Sequence, residues 1–100
     1  MTDEFKFEKQ AYYQALEDPR WKRLRITILE RDGHHCKLCH STNTLQIHHR
    51  QYHRYKTSGE WLKPWEYHPI YLVTLCGTCH TQGHLDFAVP IKDILKKTQL

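Results

Sequence analysis

Two Cys-x-x-Cys pairs constrain the fold of this 100-residue chain more than any other feature of its sequence. The pairs are Cys36 with Cys39 and Cys76 with Cys79, and together they supply four thiolates, the number that a closed tetrahedral zinc site uses. A chain of this length forms one domain with a modest core, which a metal can reinforce. The spacing therefore predicts a structural Zn²⁺ site that joins the two pairs.

Histidines lie close to these cysteines and outnumber what that zinc needs: His48, His49, His80 and His84. On a helix His80 and His84 are one turn apart, so they share a face and can bind one metal. Cys79 and His80 are about 100° apart on the same helix and suit different metals. On a strand His48 and His49 point to opposite faces, so one of them can join the helical pair. Three neutral imidazoles with an open coordination position are typical of a catalytic metal site, and the fourth histidine is placed where a general base would lie.

The composition indicates a protein of the cell interior. The formal net charge of +4 is only mildly basic, so it is weak evidence for a nucleic-acid partner. The first residues lack the apolar segment of a secretory signal, and no apolar run approaches the ~20 residues of a membrane span. Cysteines in such a chain stay reduced, which favours metal binding over disulfides. We therefore expect a cytoplasmic protein with no membrane partner.

Local patterns predict a small α+β domain over residues 1–100. Asp18 and Pro19 are suited to the N-cap and first turn of a helix that ends at Asp32 and Gly33. The other predicted elements are, in order, a short helix over 8–18, a strand over 44–48, an irregular segment over 51–69, a strand over 71–75, a helix over 77–85 and a final helix over about 90–98. The domain thus comprises N-terminal helices (about 8–31), a metal-bearing core (about 34–86) and a C-terminal helix.

The motifs from Cys36 to His84, about half the chain, resemble the HNH endonuclease superfamily, also called ββα-metal or His-Me finger nucleases. The family order is a Cys-x-x-Cys, a strand that ends in Asp-His or His-His, and a loop. An Asn then opens a second strand, which ends in a Cys-x-x-Cys and leads into a helix that carries His. The resemblance implies a ββα-metal core with a four-cysteine structural zinc site and helices that flank it at both ends.

The resemblance also implies a role for each histidine. It makes His48 the first ligand of a catalytic divalent ion, with His80 and His84 as the remaining ligands, and it makes His49 the general base. The ion itself stays open between Mg²⁺, Mn²⁺, Ni²⁺ and Zn²⁺.

Two positions depart from the family pattern. Tyr71 stands where relatives have the middle Asn, which braces the loop that carries the base. A phenol can also form a hydrogen bond, although with different reach, so Tyr71 joins the catalytic residues if its hydroxyl takes over that role. His40 stands where the zinc-binding turn often has Gly.

These observations predict a metal-dependent HNH endonuclease, a phosphodiester hydrolase that nicks or cuts DNA. The expected partner is double-stranded DNA, and the protein would act as a monomer or weak dimer, in a bacterial cell or as a phage-encoded protein. Cationic residues expected to contact the DNA backbone are Arg23, Arg25, Arg50, Arg54 and Lys56. The alternatives are a zinc-stapled nucleic-acid-binding module that has lost catalysis, or a protein–protein adaptor.

Overall fold

The chain is organised around a two-stranded antiparallel sheet. The computed structural model describes residues 10–95, and this part of the chain contains three helices and two small sheets, which confirms an α+β class. The helices are α1 (residues 10–15), α2 (Pro19–Arg31) and α3 (Gly77–Asp86). The strands are β1 (Leu45–His49), β2 (Tyr52–Tyr55), β3 (Leu72–Cys76) and β4 (Ile91–Ile94). Two 3-10 turns, Pro64–Glu66 and Pro69–Tyr71, precede β3.

Helix α2 begins and ends where the sequence predicts. The Asp18 carboxylate accepts a hydrogen bond from the backbone N–H of Arg20, and Pro19 occupies the first turn. Asp32 caps the other end, and Gly33 follows with a φ of +74°, a conformation that favours glycine. Among residues 10–95 no helix is long and apolar enough to cross a membrane.

The sheet of β1 and β3 has two different faces. Its register pairs Ile47 with Thr74, His48 with Val73 and His49 with Leu72. Side chains alternate along a strand, and directly paired residues share a face. Ile47, His49 and Leu72 therefore face α2, whereas His48 and Val73 face α3. Every residue of β3 is buried because both faces of this strand are covered.

The buried side chains form two clusters, one on each side of β3. The larger cluster lies against α2 and comprises Trp21, Ile28, Leu29, Ile47, Leu62, Tyr67 and Leu72. The smaller cluster lies on the α3 side and comprises Cys36, Val73, Leu75 and Cys76. Because two of its four members are cysteines, the smaller cluster depends on what those thiols bind.

The second sheet corrects two predictions. Strand β2 falls within the segment predicted to be irregular, and β4 falls where a C-terminal helix was expected over about 90–98. The two strands pair in parallel, from Tyr52 opposite Ile91 to Tyr55 opposite Ile94. The spacing of Ile91 and Ile94 suits a helix, but backbone hydrogen bonds to β2 outweigh that local pattern. Residues 8–9 and 96–98 of the predicted helices lie outside the described residues.

A buried carboxylate joins the end of α2 to β3. Asp32 accepts hydrogen bonds from the Arg31 guanidinium, at 2.8 and 3.0 Å, and from the backbone N–H of Thr74 at 2.9 Å. Arg31 also donates to the carbonyls of Leu72, at 2.6 Å, and Pro69, at 2.8 Å. Burial alone would raise the carboxyl pKa, but these hydrogen bonds outweigh burial and lower the Asp32 pKa to about 2.

We expect Asp32→Ala to lower the free energy of unfolding by about 2–4 kcal/mol, because it leaves the buried N–H of Thr74 without an acceptor and removes the carboxylate partner of Arg31. The matched control is Asp93→Ala. Asp93 also pairs with an arginine, Arg54, at 3.0 Å, but its side chain is 50% exposed whereas that of Asp32 is 6% exposed. The control should cost less than about 1 kcal/mol. Urea denaturation measures both values.

The same variant tests the pKa of Asp32. The pKa in the folded protein lies below the ordinary value of about 3.9. Its stabilising contribution is therefore present above about pH 4 and is lost as the pH falls toward 2. The parent should lose more stability than Asp32→Ala over that range. Equal pH profiles, or equal losses in the two alanine variants, would contradict this account.

Candidate metal centres

The four cysteines lie together at the edge of the smaller cluster. Their Sγ atoms are all within 4.8 Å of one another, and those of Cys39 and Cys76 are 3.6 Å apart. Zinc–sulfur bonds of ~2.3 Å place the sulfurs of a tetrahedral site roughly 3.8 Å apart. A disulfide needs a sulfur–sulfur distance of ~2.05 Å, and all four cysteines are free. The cysteine cluster could therefore bind a metal ion.

Two tight turns aim the thiols at a common centre. The N–H of Cys39 points at the Cys36 sulfur (3.5 Å), and the N–H of Cys79 points at the Cys76 sulfur (3.4 Å). The first turn closes through the backbone N–H of His40, which donates to the Cys36 carbonyl at 2.9 Å. His40 has a φ of +67°, so it takes the left-handed conformation for which Gly is better suited.

The pKa values of the thiols indicate why a cation suits this cluster. Burial opposes ionisation of Cys36, but backbone N–H groups outweigh it and lower the Cys36 pKa to about 6. Hydrogen bonding with the neighbouring sulfurs, that of Cys76 first, raises the Cys79 pKa to about 12. Four thiolates at this separation repel one another unless a cation lies between them. Metal binding would thus release protons from the cluster and stabilise the fold.

Three histidines form a second group on the α3 side of the sheet. The ring centroid of His48 lies 5.1 Å from that of His80 and 5.2 Å from that of His84. The Nε2 atoms of His80 and His84 are 3.0 Å apart, and one ring nitrogen from each of the three lies within 4.8 Å of the others. Nitrogens that share a metal at ~2.0–2.1 Å can be no more than about 4.2 Å apart. Only a small movement would bring all three onto one ion.

The hydrogen-bond partners of the imidazole nitrogens leave this histidine group suited to binding a metal. Nδ1 of His80 hydrogen-bonds with the side-chain oxygen of Gln46, so Nδ1 carries the proton and Nε2 keeps its lone pair. Nδ1 of His48 is buried and has no hydrogen-bond partner within residues 10–95. Burial lowers the His48 pKa to about 4 and also lowers that of His80, so both are neutral near pH 7, as metal ligands must be.

Gln46 is a functional candidate that the motifs do not reveal. It lies two residues before His48 on β1, so the two side chains share the face toward α3. Ligand histidines usually give their second ring N–H to such an acceptor. The alternation of side chains along β1 indicates the face on which Gln46 lies. The contact of Gln46 with His80, however, depends on how α3 crosses the sheet.

His49 lies on the opposite face of β1, in the main core, and is 2% exposed. The Trp21 ring stacks on it with centroids 5.2 Å apart, and the Tyr67 ring meets it edge-on at 4.9 Å. Both ring nitrogens have partners: the Tyr12 hydroxyl is 3.3 Å from Nδ1, and the Pro64 carbonyl is 3.3 Å from Nε2.

The partners of His49 determine its tautomer. A carbonyl only accepts, so Nε2 carries the proton and Nδ1 accepts the hydrogen of the Tyr12 hydroxyl. Burial lowers the His49 pKa to about 4, so the ring is neutral. The lone pair of a general base is therefore present but covered by Tyr12. The predicted base role stays a prediction, and it requires that hydroxyl to move away.

Tyr71 braces the chain next to His49 through its backbone. Its carbonyl accepts a hydrogen bond of 2.7 Å from the N–H of Arg50, whereas its ring packs edge-on against His53, with centroids 4.8 Å apart. Within residues 10–95 its hydroxyl makes no hydrogen bond. In the described part of the chain the main chain of Tyr71 thus supplies the contact beside His49, and a catalytic role of its phenol stays a prediction.

Two of the five cationic candidates have structural partners. Arg25 donates from Nη2 to the Leu45 carbonyl at 3.1 Å and so links α2 to the start of β1. Arg54 pairs with Asp93 and lies over the Trp61 ring, 5.3 Å from its centroid. Their guanidinium groups are partly committed within the protein.

The other three, Arg23, Arg50 and Lys56, have side chains without an ion pair or hydrogen bond in the described part of the chain. Arg50 is exposed and follows His48 by two residues, whereas Arg23 lies on α2, on the other side of the sheet. Arg50 thus lines the same surface as His48 and His80.

We expect the purified protein to carry a single tightly bound zinc at the cysteine cluster. Cys76→Ala should lose that zinc and leave a poorly folded chain, because zinc binding contributes folding free energy, about 10 kcal/mol or more in isolated zinc peptides. Val73→Ala is the matched control, since Val73 is buried in the same cluster. The Val73→Ala protein should lose stability only because of the cavity that the substitution creates, and it should keep the metal. Elemental analysis and thermal melting test this, and a well-folded, zinc-free Cys76→Ala would contradict it.

The comparisons with known proteins do not add a relative. No protein-family model, no curated protein and no solved structure matches this chain. What is shown is a small α+β protein in which four cysteines lie close enough together to bind a metal ion. The likeness to the HNH superfamily is carried by the motifs in the sequence.

Proposed function

We propose that this protein is a metal-dependent endonuclease of the HNH type that hydrolyses phosphodiester bonds in DNA. The observation that carries the proposal is the histidine group (His48, His80 and His84), which could hold an ion beside Arg50, whose guanidinium has no partner within residues 10–95. Imidazole ligands suit Zn²⁺, Ni²⁺ or Mn²⁺ better than Mg²⁺. Double-stranded DNA as the substrate, a monomer or weak dimer, and a cytoplasmic bacterial or phage-encoded setting remain predictions.

Each residue has a defined task in this proposal. A divalent ion held by the histidine group would act as a Lewis acid toward the scissile phosphate and the leaving oxygen. Gln46 holds the His80 ring in the tautomer that keeps Nε2 free. Arg50 binds a phosphate oxygen and offsets its charge. His49 would take a proton from the attacking water at Nδ1, which requires the Tyr12 hydroxyl to leave that atom and the His49 ring to turn out of the core toward the ion.

The burial of His49 favours a second candidate, a zinc-stapled DNA-binding module without catalysis. If Tyr12 stays on Nδ1, no water can reach the lone pair of His49. The protein would then bind DNA in a salt-dependent manner without cutting it. The two candidates differ in one measurement, the nicking of supercoiled plasmid in the presence of divalent ions.

The zinc-loaded parent should bind a second divalent ion and nick plasmid DNA. His84→Ala should lose both properties and stay folded, because His84 is an exposed residue of α3. Gln82→Ala is the matched control on the same helix, since Gln82 is also exposed and its side chain bonds only with Asp86 within residues 10–95. Cobalt titration followed by absorbance reports the second ion, and gel electrophoresis reports the nicking.

Gln46→Ala extends this experiment. It should weaken binding of the second ion by about 10- to 100-fold without removing it, because only the orientation of His80 is lost. A parent that cuts with none of the ions tested contradicts the endonuclease. Cleavage that persists in His84→Ala without the second ion contradicts the metal assignment.

The base assignment is tested by His49→Gln, which keeps a polar side chain in the core. We expect cleavage to fall by about 10²- to 10⁴-fold while the fold, both metals and DNA binding persist. His53→Gln is the matched control, because His53 is also a β-sheet histidine that is 2% exposed. It should cleave like the parent. A His49→Gln protein that cuts at the parental rate would show that His49 only fills the core.

A further inference from the structure

A groove of about 640 Å³ opens beside the histidine group. His48 and Arg50 contribute to it from the end of β1 and His80 from α3, the turn with Lys37 and Leu38 forms one wall, and the segment after α3 forms the other. Its volume falls within the roughly 300–1,000 Å³ of sites that hold a small organic group. The groove therefore has room for more than a phosphate.

The groove is lined by both positively charged and exposed apolar side chains. The side chains of Lys37 and Arg50 have no ion pair or hydrogen bond within residues 10–95, so both are free to bind an anion. Beside them Phe87 is 75% exposed and Leu38 is 70% exposed. Large apolar side chains that face solvent in a lined groove mark a place where a ligand covers them.

We propose that the groove holds one nucleotide of a DNA strand with its base out of the helical stack. The phosphate would contact Arg50 and Lys37, and the base would lie against the Phe87 ring. A regular duplex presents sugars and phosphates to a protein surface and keeps its base faces stacked inside, so it would leave this apolar wall uncovered. Aromatic side chains bind the faces of unstacked bases of any sequence. The inference rests on the proposed function, because the bound strand is the one to be cut.

The inference predicts a preference for DNA that is not fully paired. The zinc-loaded protein should bind a short labelled single strand at least about tenfold more tightly than a duplex of the same sequence. Phe87→Ala should weaken single-strand binding about tenfold, as the loss of one stacked base implies, and should change duplex binding by less than about twofold. Fluorescence anisotropy measures both affinities.

Leu85→Ala provides the matched control. Leu85 is 75% exposed, as Phe87 is, and lies two residues away, but it does not line the groove. It should bind both forms of DNA like the parent. Equal parental affinities for strand and duplex, binding of neither, or equal effects of the two alanine variants would overturn the inference.

The outcomes separate this inference from the endonuclease. If the parent cuts plasmid DNA but Phe87→Ala binds both forms like the parent, the groove assignment fails and the endonuclease stands. If nothing is cut but the single-strand preference and its loss in Phe87→Ala are observed, the groove assignment stands and the endonuclease fails.

Discussion

The antiparallel pairing of β1 with β3 is the constraint on which the rest of the structure depends. Its register places Leu45 opposite Cys76 and His48 opposite Val73. A shift by one residue would send every side chain of β1 to the other face. His48 would then enter the core, and Gln46 would lose His80. Both candidate metal sites and the main core thus require one alignment of the two strands.

The same alternation gives two adjacent histidines opposite environments. His48 faces α3, where a polar group with an orphaned nitrogen can meet a metal. His49 faces Trp21 and Tyr67, where its polar atoms must be satisfied by protein partners. Chemistry by His49 therefore needs both Tyr12 and the His49 ring to move, whereas metal binding by His48 needs a small adjustment of side chains. The base role of His49 is therefore the step of the proposed mechanism that requires the largest structural change.

A metal at the cysteine cluster would compensate for an uneven core. Within residues 10–95, the buried hydrophobic cluster on the α2 side of the sheet has seven members, whereas the cluster on the α3 side has four, and two of these are cysteines. A metal that joins the four thiolates would hold the α3 side where apolar burial is scarce. Helix α3 begins within this cluster at Gly77 and carries His80 and His84, so the structural site would position the histidine group.

Local signals in the sequence determined helix α2 with its Asp18 cap, the two strands of the main sheet, helix α3 and the grouping of cysteines and histidines. Each follows from contacts within a few residues or from the fixed periods of helix and strand. Tertiary structure decided the rest. The parallel pairing of β2 with β4 joins segments about forty residues apart, and it overrode a helical spacing near Pro90. Packing also decided that Gln46 meets His80, that Tyr12 covers His49 and that Phe87 lines a groove. These depend on how separate elements cross, which no local pattern encodes.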